Sequence, residues 1–219
     1  MATRLLPVLL AAVLLGGCQF PRDTEGTLDR VSGGVLRVGV TDHEPWVSTG
    51  EGRPTGVEVA LIDGFARDIG ADVEFTTGSE EELIGALHEG ALDLVAGGLT
   101  KRSPWKKEAS PTRPFAATRL VLGVPGDVSP DAVDAVAVER GSEAYGLVER
   151  KLDARAAPVE ELRDARGRPA AVRDWLLDDL GLRAAEELQS DQHVMFVRMG
   201  ENAFQVKLER FLERRRASE

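Results

Sequence analysis

Between residues 35 and 96 the chain alternates β-branched runs with amphipathic ones, and this alternation narrows the possible folds more than any other feature of the sequence. Val35-Leu36-Arg37-Val38-Gly39-Val40 is bounded by glycines and reads as a strand. A loop rich in Pro and Gly is predicted over 41–56. A helix follows over 57–70, with Leu61, Phe65, Ala66 and Ile69 on one face and Gly70 past its end. Residues 71–76 alternate and predict a half-buried strand. Ser79-x-x-Glu82 is a capping box; it opens a helix with Leu83, Ala86 and Leu87 turned inward and Gly90 closing it. Residues 92–96 predict the third strand. The order β-α-β-α-β implies an α/β protein with a parallel sheet and right-handed crossovers. Ligands of open α/β sheets bind at the carboxyl ends of the strands. That rule draws attention to 41–46 and 97–105.

The second half repeats the pattern more weakly. Residues 120–124, 133–138, 154–159 and 193–197 read as strands, and 170–172 is short and apolar. Gly141-Ser142-Glu143 opens a helix reaching about residue 152, and 174–180 is a compact helix with Gly181 as its cap. Residues 202–216 form a helix with Phe204, Leu208, Phe211 and Leu212 on one face. Its Arg214-Arg215-Arg216 end suits the negative end of the helix dipole and reads as a solvated terminus.

The formal charge of −10 argues against nucleic acid, because phosphate binding needs a clustered positive field. A single cysteine makes no internal disulfide. There is no CxxC or HExxH, and His43, His88 and His193 are scattered, so neither a metal nor a cofactor is expected. Arg4 precedes an apolar run over 5–15, too short to span a bilayer but suited to the core of an export signal. Leu15-Gly16-Gly17-Cys18 resembles the bacterial lipobox. That resemblance implies a signal peptide over 1–17 and a lipidated Cys18; a plain cleaved signal with an incidental cysteine is the alternative. Residues 18–34 are polar and read as a tether.

The run L-R-V-G-V-T-D-H-E-P-W, then T-G-V-E-V-A-L-I-D-G-F-A, then L-D-L-V-A-G-G-L-T, resembles the bacterial extracellular solute-binding proteins of family 3. These are the amino-acid-type receptors of ABC importers. The similarity continues through V-A-V-E-R-G-S-E-A, P-A-A-V-R-D and H-V-M-F-V-R-M-G. It implies a two-lobed, type II periplasmic-binding-protein fold, with a ligand cleft between lobes that closes by a hinge motion. Lobe one is expected at 35–117 plus 193–219 and lobe two at 118–192. The implied partners are a small-molecule solute, the membrane permease of an ABC transporter, and the membrane itself through the lipid anchor. A monomer outside the cytoplasm, binding rather than catalysing, is expected. A sensory or regulatory domain and a dehydratase-type enzyme on the same fold are the alternatives; no G-x-S-x-G nucleophile motif is present.

The resemblance also implies a site. Relatives that bind amino acids hold the carboxylate with an arginine twelve residues after the position of Asp93; here that position is Trp105. An indole cannot grip a carboxylate as a guanidinium does. Trp105 is then either an aromatic wall or a core residue, and Arg102 and Arg113 flank it. Asp174 matches the aspartate that takes the ligand's ammonium, and equally suits a helix N-cap. Thr100 matches a ligand-bonding hydroxyl. Gly97 and Gly98 stand where relatives carry serine, leaving backbone amides for a ligand. Ser142 is either a ligand contact or a cap. In the first loop Pro45 and Trp46 match a Pro-aromatic pair, and Asp42, His43 and Glu44 accompany them. Glu58 either faces the cleft or caps its helix. The combination suggests a small cationic or amine-bearing solute, enclosed by Trp46 and Trp105 and paired with Asp174.

Overall fold

The computed structural model describes residues 22–217. In chain order these form helix α1 (Thr27–Val31), strand β1 (Val35–Val40), helix α2 (Val57–Ile69), strand β2 (Asp72–Thr77), helix α3 (Glu80–His88), and strands β3 (Leu94–Ala96), β4 (Ser110–Pro111), β5 (Ala116–Val124) and β6 (Ala135–Glu139). Then come helix α4 (Ala144–Lys151), strands β7 (Arg155–Val159) and β8 (Ala170–Arg173), helix α5 (Leu177–Leu180), strands β9 (Arg183–His193) and β10 (Phe196–Val197), and helix α6 (Asn202–Arg216). The chain divides into two compact units: residues through Phe115 with those from Val194 onward, and Ala116–His193.

The first unit is built on a five-stranded sheet of order β2-β1-β3-β10-β4. Strands β1, β2 and β3 are parallel, as the β-α-β-α-β pattern predicts, and β10 runs antiparallel between β3 and β4. Helix α2 buries Val59, Ile62, Phe65 and Ala66, a stripe shifted by one residue from the predicted face, so Leu61 and Ile69 are only half-buried. Phe65 meets Phe204 and Phe211 of α6 at 5.8 and 5.7 Å between ring centres. Rings buried this fully contribute roughly 1.5–3 kcal/mol each. The capping box of α3 forms as predicted: Ser79 Oγ accepts from the Glu82 amide and the Glu82 carboxylate accepts from the Ser79 amide.

The segment expected to be a signal peptide, and Cys18, lie outside the described residues. The tether expectation needs correcting for the part that is described. Residues 22–34 carry α1, with Thr27 and Val31 buried. The Asp23 carboxylate accepts from the Leu28 amide at 2.7 Å and the Phe204 amide at 2.9 Å, so it caps α1 and α6 together. Glu201 accepts from the amides of Glu25 and Thr27. Arg30 and Arg37 both pair with the buried carboxylate of Asp93. Polar composition suggested a linker, but Asp23, Glu25, Thr27 and Arg30 make hydrogen bonds or ion pairs to residues far along the chain.

The second unit holds a sheet of order β7-β6-β8-β5-β9. Strands β6, β7 and β8 are parallel, and β5 runs antiparallel to both β8 and β9. Strand β9 was not legible in the sequence. Of its eleven residues only Leu188, Asp191 and His193 are buried, and the exposed ones mix charged, polar and alanine side chains with no apolar alternation. The strand expected over 193–197 is divided: His193 ends β9 in the second unit, and β10 belongs to the first. Residues 174–180 form a 3-10 turn, Asp174–Leu176, followed by α5, and Gly181 closes it with a left-handed backbone.

Candidate functional site

In the first unit the carboxyl ends of β1 and β3 meet the start of α2. The chain leaves β3 through Gly97 and Gly98, with φ of 134° and 71°. A side chain at Gly97 would lie 2.6 Å from the Thr41 carbonyl; at Gly98 it would lie 2.6 Å from His43 Nδ1 and 2.8 Å from Trp46 Cδ1. Glycine is required here by backbone angle and by the close approach of the first loop. Glu58, the second residue of α2, fills the space behind this turn. Its Oε2 accepts from the Gly97 amide at 2.6 Å and the Gly98 amide at 3.1 Å, while its own amide donates to the Trp46 carbonyl at 3.0 Å. The Glu58 side chain is fully buried and its Oε1 has no hydrogen-bond partner among the described residues. Burial pushes the carboxyl up to about 7, against the two amide bonds that pull it down.

This arrangement corrects one expectation: the amides of Gly97 and Gly98 are already taken by Glu58. The aromatic wall is corrected too. Trp46 is 7% exposed, and its ring meets Phe115 edge-on at 6.2 Å, so it belongs to the core. Trp105 lies in the turn Pro104–Lys107, packs against the cluster of Leu83, Leu87 and Phe196, and donates its indole N–H to Glu80 at 2.7 Å. Of the two roles weighed for Trp105, the packed one describes what is seen. Arg113 is engaged by Glu209 and Glu213 on α6 and does not replace the missing guanidinium.

The remaining first-loop residues hold the loop's own shape. Asp42 accepts from the Thr49 amide and hydroxyl, and those bonds keep its carboxyl below the usual range. Glu44 accepts from Ser48 Oγ at 2.9 Å. His43 is exposed and pairs its backbone with Val47. Thr100 closes a small turn, its amide donating to Ser103 Oγ and its hydroxyl accepting from the Arg102 amide.

In the second unit the carboxyl ends of β6 and β8 lie side by side, since Ala137 pairs with Ala170 in parallel. Ser142 donates its hydroxyl to the Glu139 carbonyl at 2.8 Å, so it closes the turn and caps nothing. Asp174 is not an N-cap either; its carboxylate accepts from Arg119 Nε at 3.0 Å. Beside it Arg173 bridges Asp191 at 2.8 Å and Glu143 at 3.0 Å, and Gln189 donates to both carboxylates. Of the nine residues expected to bind ligand, Ser142 and Asp174 stand at this edge, and Asp42, His43, Glu44, Trp46, Gly98, Thr100 and Trp105 stand in the first unit. Arg119, Arg173, Gln189 and Asp191 were missed because they come from β5, the end of β8 and the unread β9. Trp175 could have been found: Leu176 and Leu177 turn inward, which forces their neighbour out. No group of three or more His, Cys, Asp or Glu residues among the described residues is placed to hold a metal.

A model of the bacterial extracellular solute-binding proteins, family 3, matches residues 36–219. Over 101 residues the chain is 35% identical to the membrane-bound lytic murein transglycosylase F of Photobacterium profundum, a match covering 44% of this chain and 19% of that protein. The chain thus spans about a fifth of the length of the curated relatives it matches. Among solved structures, an ancestral cationic amino acid solute binding protein superposes with a TM-score of 0.70 at 21% identity, covering 88% of this chain and 94% of that one. A polar amino acid ABC uptake transporter substrate binding protein from Streptococcus thermophilus superposes with a TM-score of 0.75 at 16% identity, covering 92% and 88%. The mixed α/β architecture with two sheets is that of the type II periplasmic-binding proteins.

Proposed function

As the chain belongs to the bacterial extracellular solute-binding proteins, family 3, we propose that it is an extracytoplasmic receptor that binds a small amino-acid-like solute and hands it to the membrane permease of an ABC importer. The observation that carries this reading is the family match over 36–219, which takes in both sheets. The fold neighbours named for cationic and polar amino acids support the solute class. Binding without turnover is the reading adopted, with Asp174 as the residue of the second unit that meets the solute's ammonium. Cys18 is proposed as the lipid attachment point. Native mass spectrometry of freshly purified protein tests the binding role: an intact small solute, recovered unchanged on denaturation, is the expected result. Chemically altered material would point to an enzyme. Cys18→Ser is expected to move the protein from the membrane fraction to the soluble one.

A second reading has its own support. The curated relatives are longer proteins in which the matching segment is about a fifth of the length. That favours a solute-sensing unit working beside other modules. Co-purification with permease subunits would separate import from sensing.

A further inference from the structure

We propose that the amino edge of the first unit's sheet, marked by Val35 and Met199, is seated against the bilayer that holds the acyl chains of Cys18. The inference rests on the proposed lipidation of Cys18 and says which face of the first unit that anchor presents to lipid.

The chain next to the anchor is stapled to the fold. The Arg22 carbonyl accepts from the Asn202 amide at 3.3 Å, and the Thr24 amide donates to the Gly200 carbonyl at 3.2 Å. Asp23 pairs with Glu201 as an antiparallel bridge, and its carboxylate accepts from the Phe204 amide. Glu201, 1% exposed, accepts in return from the amides of Glu25 and Thr27. These bonds fix residues 22–27 along the turn that leads into α6. Three residues, 19–21, stand between Cys18 and Arg22. Their four peptide links reach at most roughly 15 Å. A lipidated Cys18 therefore holds this turn close to the headgroups, whereas a free tether running to residue 34 would let the unit turn any face to the membrane.

Sheet register identifies the edge. Strand β10 runs antiparallel to β3, with Val197 opposite Leu94, the first residue of β3. Residues 198–200 therefore leave the sheet beyond the amino end of β3. Strand β1 runs parallel to β3, with Val38 opposite Leu94, so Val35 extends past the same end. Arg30 of α1 reaches this end as well, where it pairs with Asp93. Among the described residues of the first unit, the exposed large apolar side chains are Met199 at 49%, Val35 at 37% and Val57. Val57 opens α2 at the opposite, carboxyl edge, next to Glu58. Single exposed apolar residues are common; the position of Met199 and Val35 beside the anchored turn gives these two a partner, since lipid removes apolar surface from water. The net charge of −10 supplies no pull toward anionic lipid, so the covalent restraint selects the face. Strands β1 and β3 lead from this edge to Gly97 and Gly98, so the carboxyl edge of the first unit is turned away from lipid and toward the water.

Fluorescence quenching tests this with the full lipoprotein in vesicles of phosphatidylethanolamine and phosphatidylglycerol that carry a nitroxide on a lipid headgroup. Cys18 is the only cysteine and acylation blocks its thiol, so Met199→Cys, Val35→Cys and Val57→Cys each take a single dansyl label. The labels replacing Met199 and Val35 should lose most of their emission, and the label replacing Val57 should keep most of its own. A Gly-Ser spacer of about twenty residues inserted between Pro21 and Arg22 should level the three signals. All three side chains are exposed, so thermal melting of the variants should match wild type and certify folding. Equal quenching at the three positions without the spacer, or stronger quenching at Val57, would overturn the inference and leave the anchor reading standing. A Cys18 found free of acyl chains by mass spectrometry would overturn both, while the recovery of an intact solute tests the binding reading independently.

Discussion

The carboxylate of Glu58 accepts the backbone amides of Gly97 and Gly98, two residues that lie 39 and 40 positions away at the end of β3. One buried side chain on α2 thus sets the shape of the turn that leaves the central strand. It also removes two donors that a ligand anion would otherwise use.

Glu58 makes stability depend on pH near neutrality. The folded group titrates at about 7 and the unfolded one near 4.5, so between these values only the folded chain keeps the proton. Stability therefore falls as pH rises through this window, by up to about 1.4 kcal/mol per pH unit. Glu58→Gln should flatten that slope. Denaturant midpoints from pH 4.5 to 8 provide the check, and an unchanged slope in the variant would assign the effect elsewhere.

Asp93 acts with the opposite sign. Burial raises its carboxyl, but Arg37 and Arg30 outweigh that and hold it below the usual range. Its contribution is complete above the unfolded value and is lost as pH falls through the folded one. Asp93→Asn should cost about 2–4 kcal/mol at pH 7, below the largest values for broken buried pairs because both guanidiniums reach solvent. The gap between wild type and variant should shrink at pH 3.

Trp105 belongs to the packing of the first unit. Trp105→Phe deletes the bond to Glu80 while keeping a ring against Leu83 and Leu87. A loss of about 1–2 kcal/mol in unfolding free energy is expected, with solute affinity unchanged. A large loss of affinity at unchanged stability would restore the wall.

Gly98→Ala places a methyl group in a left-handed turn against His43 and Trp46. The expected cost is about 1–3 kcal/mol. Displacement of the Trp46 ring should appear as a shift in tryptophan emission relative to wild type.

Much of the fold could be read locally. The limits of β1 and α6, the capping box at Ser79, and the caps at Gly70 and Gly181 all appear as the patterns predict. These features depend on neighbours within a turn or on side-chain alternation, and such rules need no knowledge of distant contacts. The candidate site was less legible. Asp174 and Ser142 were expected at helix starts, as caps or ligand contacts, and their partners in the structure, Arg119 and the Glu139 carbonyl, were not foreseen.

Periodicity and capping marked most of the helices and strands, though not α1 or β9, and family resemblance implied that they assemble as two lobes. Only the folded chain decided which polar groups are engaged. Glu58 and Gly97 meet because two neighbouring strands and one helix converge on the same turn, and Trp175 faces solvent because Leu176 and Leu177 fill the core beside it. Such choices are set by which groups compete for the same buried space, and that competition exists only once distant segments have packed.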